Sequence, residues 1–338
     1  MTVAIFPVNW PTGAATCLGG IVRLMDIILH AGAHRTGTTS FQSYLRGNTA
    51  ALAADGTGYW GPRRLRTGLF SGLFPAPGPA RGRNLLRRAE GRVQMHLDLA
   101  ETAGVARLLV TDENMMGAPR ACLSAGSLYP AVGERMARVS LAFGARAGRV
   151  IISLRALDLW WASVAAYSVA RGHSVPESRK LDQIACSGRG WRDVITDLAC
   201  AMPEAQIVVV PFEQVASRPD ALLAAATGRT APRAHRENWL NRSPDLRALR
   251  RLLAERGNNL DVVPDGDGRW QPFSAAQSAA LRETYADDMM WLAAGADGLA
   301  TLTEDSFRSR VGKSQPAEAM TRGHEDDQGR QKGLAHSG

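Results

Sequence analysis

The sequence has no unbroken apolar run of about 18 residues, the length that a membrane-crossing helix needs. Cysteine is also rare, and the four cysteines stand far apart without a Cys-x-x-Cys pair or a zinc-ligand spacing. We therefore expect free thiols, no metal site and no membrane span, a pattern typical of a cytoplasmic protein. The cysteines are Cys17, Cys122, Cys186 and Cys200.

Lysine is scarce as well, so arginine supplies most of the 40 basic residues that leave the chain with a net charge of +8. A planar guanidinium group makes two-pronged contacts with phosphate or sulfate, which favours an anionic ligand. A solvated arginine-rich face explains the charge equally well. No segment interleaves aromatic and basic residues as a nucleic-acid-binding module does, so no nucleic-acid partner is expected.

What the sequence does have is a regular alternation of strand and helix patterns. Short apolar runs at 26–30, 105–111, 149–154 and 206–210 predict buried strands. Helices between such strands predict an α/β fold, a doubly wound parallel sheet flanked by helices, with ligands at the carboxyl ends of the strands. The late part of the chain is predicted to be helical. The predicted helices are 39–46, 84–103, 128–143, 158–170, 219–226, 244–256 and 274–292.

Composition divides the chain into three parts. Residues 25–307 carry all the predicted strands and form the expected domain. Residues 1–24 are mildly apolar but lack the basic start of a secretory signal, so they are an uncertain N-terminal extension, and Met25 is a candidate natural start. Residues 308–338 are polar and predicted to be disordered. The stretch 56–83, rich in Gly, Pro and Arg, is predicted to be a surface loop or lid.

The most informative motif joins the first strand to the first helix and reads Gly32-Ala-His-Arg-Thr-Gly-Thr-Thr39. Its length is that of the Walker A loop, but Thr38 stands where that loop has lysine. Without the lysine the loop does not fit ordinary ATP chemistry. Its backbone N–H groups and the following helix N-terminus still form a phosphate cradle, and Arg35 supplies a cation from inside the loop.

A second motif makes the assignment more specific. Arg155 ends the strand 149–154, and Ser163 follows eight residues later on the next predicted helix. The 32–39 loop and this Arg–Ser pair together resemble the two phosphate-binding motifs of the sulfotransferases that use 3′-phosphoadenosine 5′-phosphosulfate (PAPS). The resemblance is to bacterial and carbohydrate-type members in particular, which have a P-loop-type sheet. The strand with Pro211-Phe212-Glu213 and the later Asn241-Arg242-Ser243 are similar to that family in a weaker way.

The resemblance implies that PAPS is the co-substrate and that no metal takes part. It places the 5′-phosphosulfate at the 32–39 loop and the 3′-phosphate at Arg155 and Ser163. The implied cofactor-binding residues are Arg35, Thr36, Gly37, Thr38, Thr39, Ser40, Arg155 and Ser163. The implied acceptor is a hydroxyl or amine of a carbohydrate or another small molecule.

Sulfuryl transfer also needs a base for the acceptor proton, and three residues are candidates for the chemistry. Arg35 stabilises charge on the leaving phosphate side. Glu113 follows a predicted strand whose carboxyl end opens on the same cleft, and a dry cleft would raise its pKa. The alternative is that residues 112–114 merely cap the next segment. His34, beside Arg35, is the second candidate for the base.

Two other readings remain open from the sequence. One is a P-loop kinase or nucleotide hydrolase, which the missing lysine disfavours, and which also lacks a carboxylate where the strand 149–154 ends in Arg155. The other is a non-catalytic anion-binding protein, which rests on charge alone. The oligomeric state is not determined by the sequence.

Overall fold

The computed structural model describes residues 25–74 and 81–303, together with the short segments 14–17 and 20–23. Its strands are β1 (Ala14–Cys17), β2 (Gly20–Arg23), β3 (Asp26–Gly32), β4 (Thr57–Trp60), β5 (Arg107–Thr111), β6 (Ala147–Leu154), β7 (Gln206–Pro211) and β8 (Ala300–Leu302). Strands β3 to β8 form one six-stranded sheet in the order β4-β5-β3-β6-β7-β8, and every pairing in it is parallel. Strands β1 and β2 pair with each other in an antiparallel hairpin.

Helices connect the strands of the sheet, as the alternating pattern predicts. In chain order they are α1 (Thr38–Gly47), α2 (Thr49–Ala54), α3 (Pro62–Arg64), α4 (Arg81–Thr102), α5 (Pro119–Ala125), α6 (Val132–Ala142), α7 (Leu157–Ala170), α8 (Ser178–Ala185), α9 (Trp191–Ala201), α10 (Phe212–Val215), α11 (Pro219–Thr227), α12 (Leu246–Glu255) and α13 (Ala275–Ala293). A π-helical turn covers Leu65–Leu69, and 3₁₀ turns cover Glu113–Met115 and Ala296–Gly298. The α/β class with a helix-flanked parallel sheet is therefore confirmed.

Hydrophobic cores cover both faces of the sheet, and alternate residues of β3, β5, β6 and β7 pack into different cores. In β3, Ile27 and Leu29 pack into the core that α4, α6, α9 and α13 cover, while Ile28 packs with Phe41 and Leu222 of α1 and α11 on the other face. Strands buried on both faces read as continuous apolar runs, which is why the sequence pattern was strong for β3, β5, β6 and β7.

The strand order creates a crevice between β3 and β6. After β3 the chain continues to β4 and β5 on one side, and after β6 it continues to β7 and β8 on the other side. Connections that leave two neighbouring strands in opposite directions open a crevice at their carboxyl ends. The 32–39 loop follows β3 and Arg155 follows β6, so the two sequence motifs meet there.

The structure corrects the prediction for residues 56–83. Within its described part, this stretch contributes the edge strand β4, the short helix α3 and the π turn, and α4 already begins at Arg81. Trp60 and Phe70 are buried in the main core, so they do not form a mobile cover over a site. The stretch predicted as a helical C-terminal part holds α12 and α13 but also β8, which extends the sheet.

Two expectations concern parts of the chain that fall largely outside this description. The predicted disorder of 308–338 lies outside the described residues. For the N-terminal extension 1–24, only the hairpin β1–β2 is described.

Candidate functional site

The 32–39 loop is held in shape by two glycines and by its own threonines. Gly32 and Gly37 have φ angles of 77° and 80°, a region that disfavours a side chain. A Cβ on Gly32 would also lie 2.9 Å from Thr38 Oγ1 and 3.4 Å from the Cβ of Glu113. The hydroxyls of Thr36 and Thr38 both donate to the carbonyl of Ala33, at 2.7 and 3.1 Å. The loop is therefore closed by contacts of its own residues.

Helix α1 begins directly at this loop with Gly37 as its N-cap, and no side chain caps it. The first bond of the helix runs from the N–H of Phe41 to the carbonyl of Gly37, at 3.0 Å. The preceding N–H groups of Thr38, Thr39 and Ser40 therefore have no acceptor within the helix. They and the positive end of the helix dipole offer an anion a ready set of donors.

Arg155 brings a buried cation to the same place. Its Nη1 donates to the carbonyl of Arg35 at 3.0 Å. Its guanidinium group lies over the ring of Phe212, 5.1 Å from the ring centre. In the described part of the chain, its Nε is buried without a hydrogen-bond acceptor. Burial and the neighbouring cations Arg269 and Arg35 lower the pKa of Arg155 to about 10. Arg155 is thus still charged at neutral pH; among the described residues no carboxylate forms an ion pair with it, although Glu213 and Asp158 partly oppose the lowering of its pKa.

Arg35 joins the loop to residues that lie far away in the sequence. Its Nε donates to the hydroxyl of Ser163 at 3.0 Å, and its Nη2 donates to the hydroxyl of Ser243 at 2.9 Å. Its guanidinium also lies 4.9 Å from the ring centre of Tyr167. The two serine hydroxyls are themselves 2.6 Å apart. Arg35 and Ser163, predicted to serve different phosphates, therefore meet in this structure.

These groups surround a single cleft of about 520 Å³, within the range of small-molecule sites. Eight of the ten predicted site residues line it, and the two exceptions are Thr36, which braces the loop, and Ser40, whose hydroxyl accepts the N–H of Leu240 at 2.8 Å. The predicted residues on its wall are His34, Arg35, Gly37, Thr38, Thr39, Glu113, Arg155 and Ser163. Pro119, Tyr167, Phe212, Ser217, residues 239–245 and Arg269 complete the wall.

His34 is buried between the loop and the segment after β5. Its Nδ1 lies 2.9 Å from the hydroxyl of Tyr129, and its Nε2 lies 3.0 Å from the side-chain amide of Asn114. With the amide turned so that its NH₂ donates to Nε2, its oxygen accepts from Arg66 at 3.3 Å. Burial lowers the pKa of His34, so the ring is neutral at pH 7. Both ring nitrogens are already engaged with protein groups.

Glu113 differs from the expectation of a raised pKa. Burial does raise the pKa of Glu113, but the electrostatic interaction with His34, several hydrogen bonds and the charge of Arg66 outweigh burial, so the pKa lies below its ordinary value of 4.5. One carboxylate oxygen accepts from Arg66 at 2.9 Å and the other from Gln42 at 2.8 Å. Glu113 is therefore ionised at neutral pH. Each oxygen keeps a second lone pair with which to accept a proton.

Two buried tryptophans fix the backbone of the site. The indole N–H of Trp160 donates to the carbonyl of His34 at 2.7 Å, and that of Trp191 donates to the carbonyl of Arg155 at 2.8 Å. The backbone N–H of Trp191 in turn donates to Asp288 at 2.7 Å. Trp160 is fully buried in the main core. Its hydrogen bond to the loop was not visible from the sequence.

Sequence reasoning missed several residues of the cleft. Ser243 and Arg242 belong to the weakly similar segment 241–243, which was a usable signal. Tyr167 and Arg269 carried no signal. Both enter the cleft only because of the way α7 and the segment after α12 fold back over the sheet.

Three further findings bear on the class of this protein. None of the described helices is long and apolar enough to cross a membrane. Among the described residues no group of three or more histidine, cysteine, aspartate or glutamate side chains is placed to hold a metal ion. Comparisons with protein-family models, curated proteins and solved structures find no match to the chain. Fold and site together define an α/β protein with a cationic cleft at the switch point of a parallel sheet.

Proposed function

We propose that this protein is a sulfotransferase of P-loop type that transfers a sulfuryl group from PAPS to the hydroxyl or amine of an acceptor. The observation that carries the proposal is the convergence on one cleft of the lysine-free 32–39 loop and the buried Arg155, whose Nε has no acceptor among the described residues. A ligand with two anionic groups can satisfy both. A 5′-phosphosulfate and a 3′-phosphate on one nucleotide have that arrangement.

The cleft walls fit the rest of such a nucleotide. Phe212 and Trp239 meet edge to face with ring centres 6.5 Å apart, and both line the cleft, so they offer an apolar surface for a base. Three more polar side chains at the cleft, Arg35, Ser163 and Ser243, form a hydrogen-bonded set that an anion can join. We assign the loop N–H groups and Arg35 to the phosphosulfate end, and Arg155 with Ser163 to the 3′-phosphate end.

In this mechanism, PAPS supplies the sulfuryl group and adenosine 3′,5′-bisphosphate leaves. The acceptor oxygen or nitrogen forms a bond to sulfur as the bond between sulfur and the phosphate oxygen breaks. The acceptor proton passes to Glu113, and the N–H groups of α1 with Arg35 stabilise the charge on the leaving phosphate. Glu113 suits the role of base better than His34, because both His34 nitrogens are occupied.

The same cleft is less suited to a nucleotide kinase or hydrolase. In such proteins a carboxylate at the end of a neighbouring strand holds magnesium beside the phosphates. Here β5 does end beside a carboxylate, Asp112, but that group accepts two donors of Arg66 at 3.1 and 2.6 Å and the N–H of Asn114 at 2.9 Å. Asp112 also lines a different cavity from the 32–39 loop. The hydrogen bonds and the position of Asp112 therefore favour a sulfotransferase over a nucleotide kinase or hydrolase.

Isothermal titration calorimetry tests the proposal directly. We expect adenosine 3′,5′-bisphosphate to bind the full chain without metal, and adenosine 5′-monophosphate, which lacks the 3′-phosphate, to bind more weakly. ATP with magnesium is the competitor for the alternative function. Tighter binding of ATP with magnesium than of the bisphosphate would contradict the sulfotransferase assignment.

A further inference from the structure

A second cavity of about 450 Å³ lies next to the cleft, and nothing in the proposed nucleotide site accounts for it. The two spaces share a wall formed by neighbouring residues, since Pro119 lines the cleft and Ala118 lines the second cavity. Asn114, on the second cavity, reaches His34 of the cleft at 3.0 Å. A molecule in the second cavity would therefore lie directly beside the groups proposed for catalysis.

Glu113 stands at the boundary between the two spaces. Glu113 lines the cleft, while Arg66, which donates to the carboxylate of Glu113 at 2.9 Å, lines the second cavity. A hydroxyl that enters from the second cavity thus approaches a carboxylate that can take its proton. The backbone of the 32–39 loop also lies close to Glu113, since a Cβ on Gly32 would stand 3.4 Å from the Cβ of Glu113.

The walls of the second cavity are largely apolar and partly aromatic. Phe70 and Phe74 meet edge to face with ring centres 6.2 Å apart, and the buried Met116 lies on the same wall. The guanidinium of Arg135 stacks over Phe74 at 3.8 Å from the ring centre. Aromatic rings and a stacked guanidinium plane favour a flat apolar group as the occupant.

The charged groups of this cavity are already engaged with other protein groups. Arg66 binds Asp112 through two nitrogens, and Arg135 donates to the carbonyls of Met115 at 3.1 Å and Asn114 at 2.6 Å. A sugar brings many hydroxyls that each need a partner, and burying them unpaired costs free energy. An acceptor with one hydroxyl on an apolar ring avoids that cost.

We propose that the second cavity binds the sulfuryl acceptor and that the acceptor is an aromatic alcohol rather than a carbohydrate. This inference rests on the proposed function and narrows it. The ring lies against Phe70, Phe74 and Met116, and the hydroxyl points to Glu113. The hydroxyl oxygen bonds to the sulfur of PAPS, the bond from sulfur to the phosphate oxygen breaks, and the hydroxyl proton moves to the carboxylate of Glu113.

The test blocks the cavity without changing the core. Ala121 is exposed on α5 and lines the second cavity, so Ala121→Trp fills it from the rim. Ala125, exposed one turn later on α5 and away from the cavity lining, provides the matched control Ala125→Trp. The probe is 2-naphthol, whose binding to the full-length protein is measured by calorimetry, with adenosine 3′,5′-bisphosphate titrated in parallel.

We expect 2-naphthol to bind the wild type and Ala125→Trp within about twofold of each other, and Ala121→Trp about tenfold or more weakly, a loss of roughly 1.4 kcal/mol. Bisphosphate binding should be equal in all three proteins. With ³⁵S-labelled PAPS, the wild type should label 2-naphthol faster than N-acetylglucosamine, and Ala121→Trp should lose that labelling.

The outcomes separate the two proposals. If the wild type does not bind the bisphosphate, the proposed function fails and this inference fails with it. If the bisphosphate binds but 2-naphthol does not, or binds equally to Ala121→Trp, only the acceptor assignment is overturned. Faster labelling of N-acetylglucosamine, unaffected by Ala121→Trp, would likewise show that a carbohydrate binds elsewhere.

Discussion

Replacing Arg155 by methionine separates the ligand-binding role of this residue from any structural role. Methionine keeps most of the length and apolar volume of the side chain but removes the charge. In the unliganded protein Arg155 is only 6% exposed, its Nε lacks an acceptor, and Arg269 and Arg35 repel it. The hydrogen bond that its backbone carbonyl accepts from Trp191 does not depend on the side chain.

Arg155→Met should leave the stability of the unliganded protein unchanged or higher, but it should weaken ligand binding. Replacing this buried cation gives up its hydrogen bond to the carbonyl of Arg35 and the attraction of Glu213 and Asp158, but burial and repulsion by Arg269 and Arg35 outweigh that attraction. The unliganded Arg155→Met protein should therefore unfold at the same temperature as the wild type or a higher one. Losing a buried charged contact to a phosphate costs roughly 2–3 kcal/mol of binding free energy, or about 30- to 140-fold in Kd. That loss should apply to a ligand with a 3′-phosphate.

The assay measures the binding of two nucleotides to the wild type and to two variants. Calorimetry with adenosine 3′,5′-bisphosphate should show the full loss in Arg155→Met, whereas adenosine 5′-monophosphate should bind the variant and the wild type within about threefold. Arg179 is exposed on α8 and outside the cleft, so Arg179→Met lowers the net charge equally and controls for the overall field. Thermal unfolding of all three proteins is followed without ligand.

Two results would refute the reasoning. Unchanged bisphosphate affinity in Arg155→Met would remove the 3′-phosphate from this position. A marked fall in unfolding temperature of the unliganded variant would mean that Arg155 stabilises the fold, and the missing partner of its Nε would then have no bearing on a ligand.

Other predictions follow from single groups of the site and its support. Glu113→Gln should abolish sulfuryl transfer and leave bisphosphate binding unchanged. Because the pKa of Glu113 is lowered, the wild-type rate should hold as pH falls from 7 to 5. Gly32→Ala should reduce the free energy of unfolding by roughly 1–3 kcal/mol, measured in urea, because φ is positive and the new Cβ meets Thr38. Asp288, whose pKa burial raises from 3.8 to about 6, binds its proton more tightly in the folded state. Its contribution to stability is therefore present below pH 4 and lost as pH rises to 6, by about 3 kcal/mol relative to Asp288→Asn.

Each of these predictions has a result that would contradict it. Retained transfer in Glu113→Gln would move the base elsewhere in the cleft. An unchanged urea midpoint for Gly32→Ala would mean that the loop tolerates a side chain, and the fit of the 32–39 loop to an anion would weaken. A constant difference in stability between wild type and Asp288→Asn from pH 4 to 7 would show that Asp288 does not titrate in this range.

The site owes its rigidity to groups that never face a ligand. Trp160 and Trp191 come from different helices, yet each donates an indole N–H to a backbone carbonyl at the cleft, Trp160 to that of His34 beside Arg35 and Trp191 to that of Arg155. Such bonds fix the backbone on both sides of the crevice, so the cleft is formed before a ligand arrives. A preformed site loses less free energy to ordering when it binds.

The sequence alone determined the features that depend on neighbours along the chain. The buried strands of the parallel sheet were readable because strands covered on both faces are continuous apolar runs. The 32–39 loop was readable because Gly32 and Gly37 occupy positions with positive φ, and the spacing from Arg155 to Ser163 follows from one strand end and two helical turns.

Only the tertiary structure decided what those residues meet. Arg35 reaches Ser163 and Ser243, which lie 128 and 208 residues further along the chain. The pKa of Glu113 falls instead of rising because the interactions with His34 and Arg66 outweigh its burial, and Arg66 comes from the stretch after β4, which had been predicted as a loop. Backbone preferences and the spacing of apolar residues depend on neighbours a few positions away, so the sequence shows them. Charged groups interact through space, so their pairing depends on which distant segments the fold brings together.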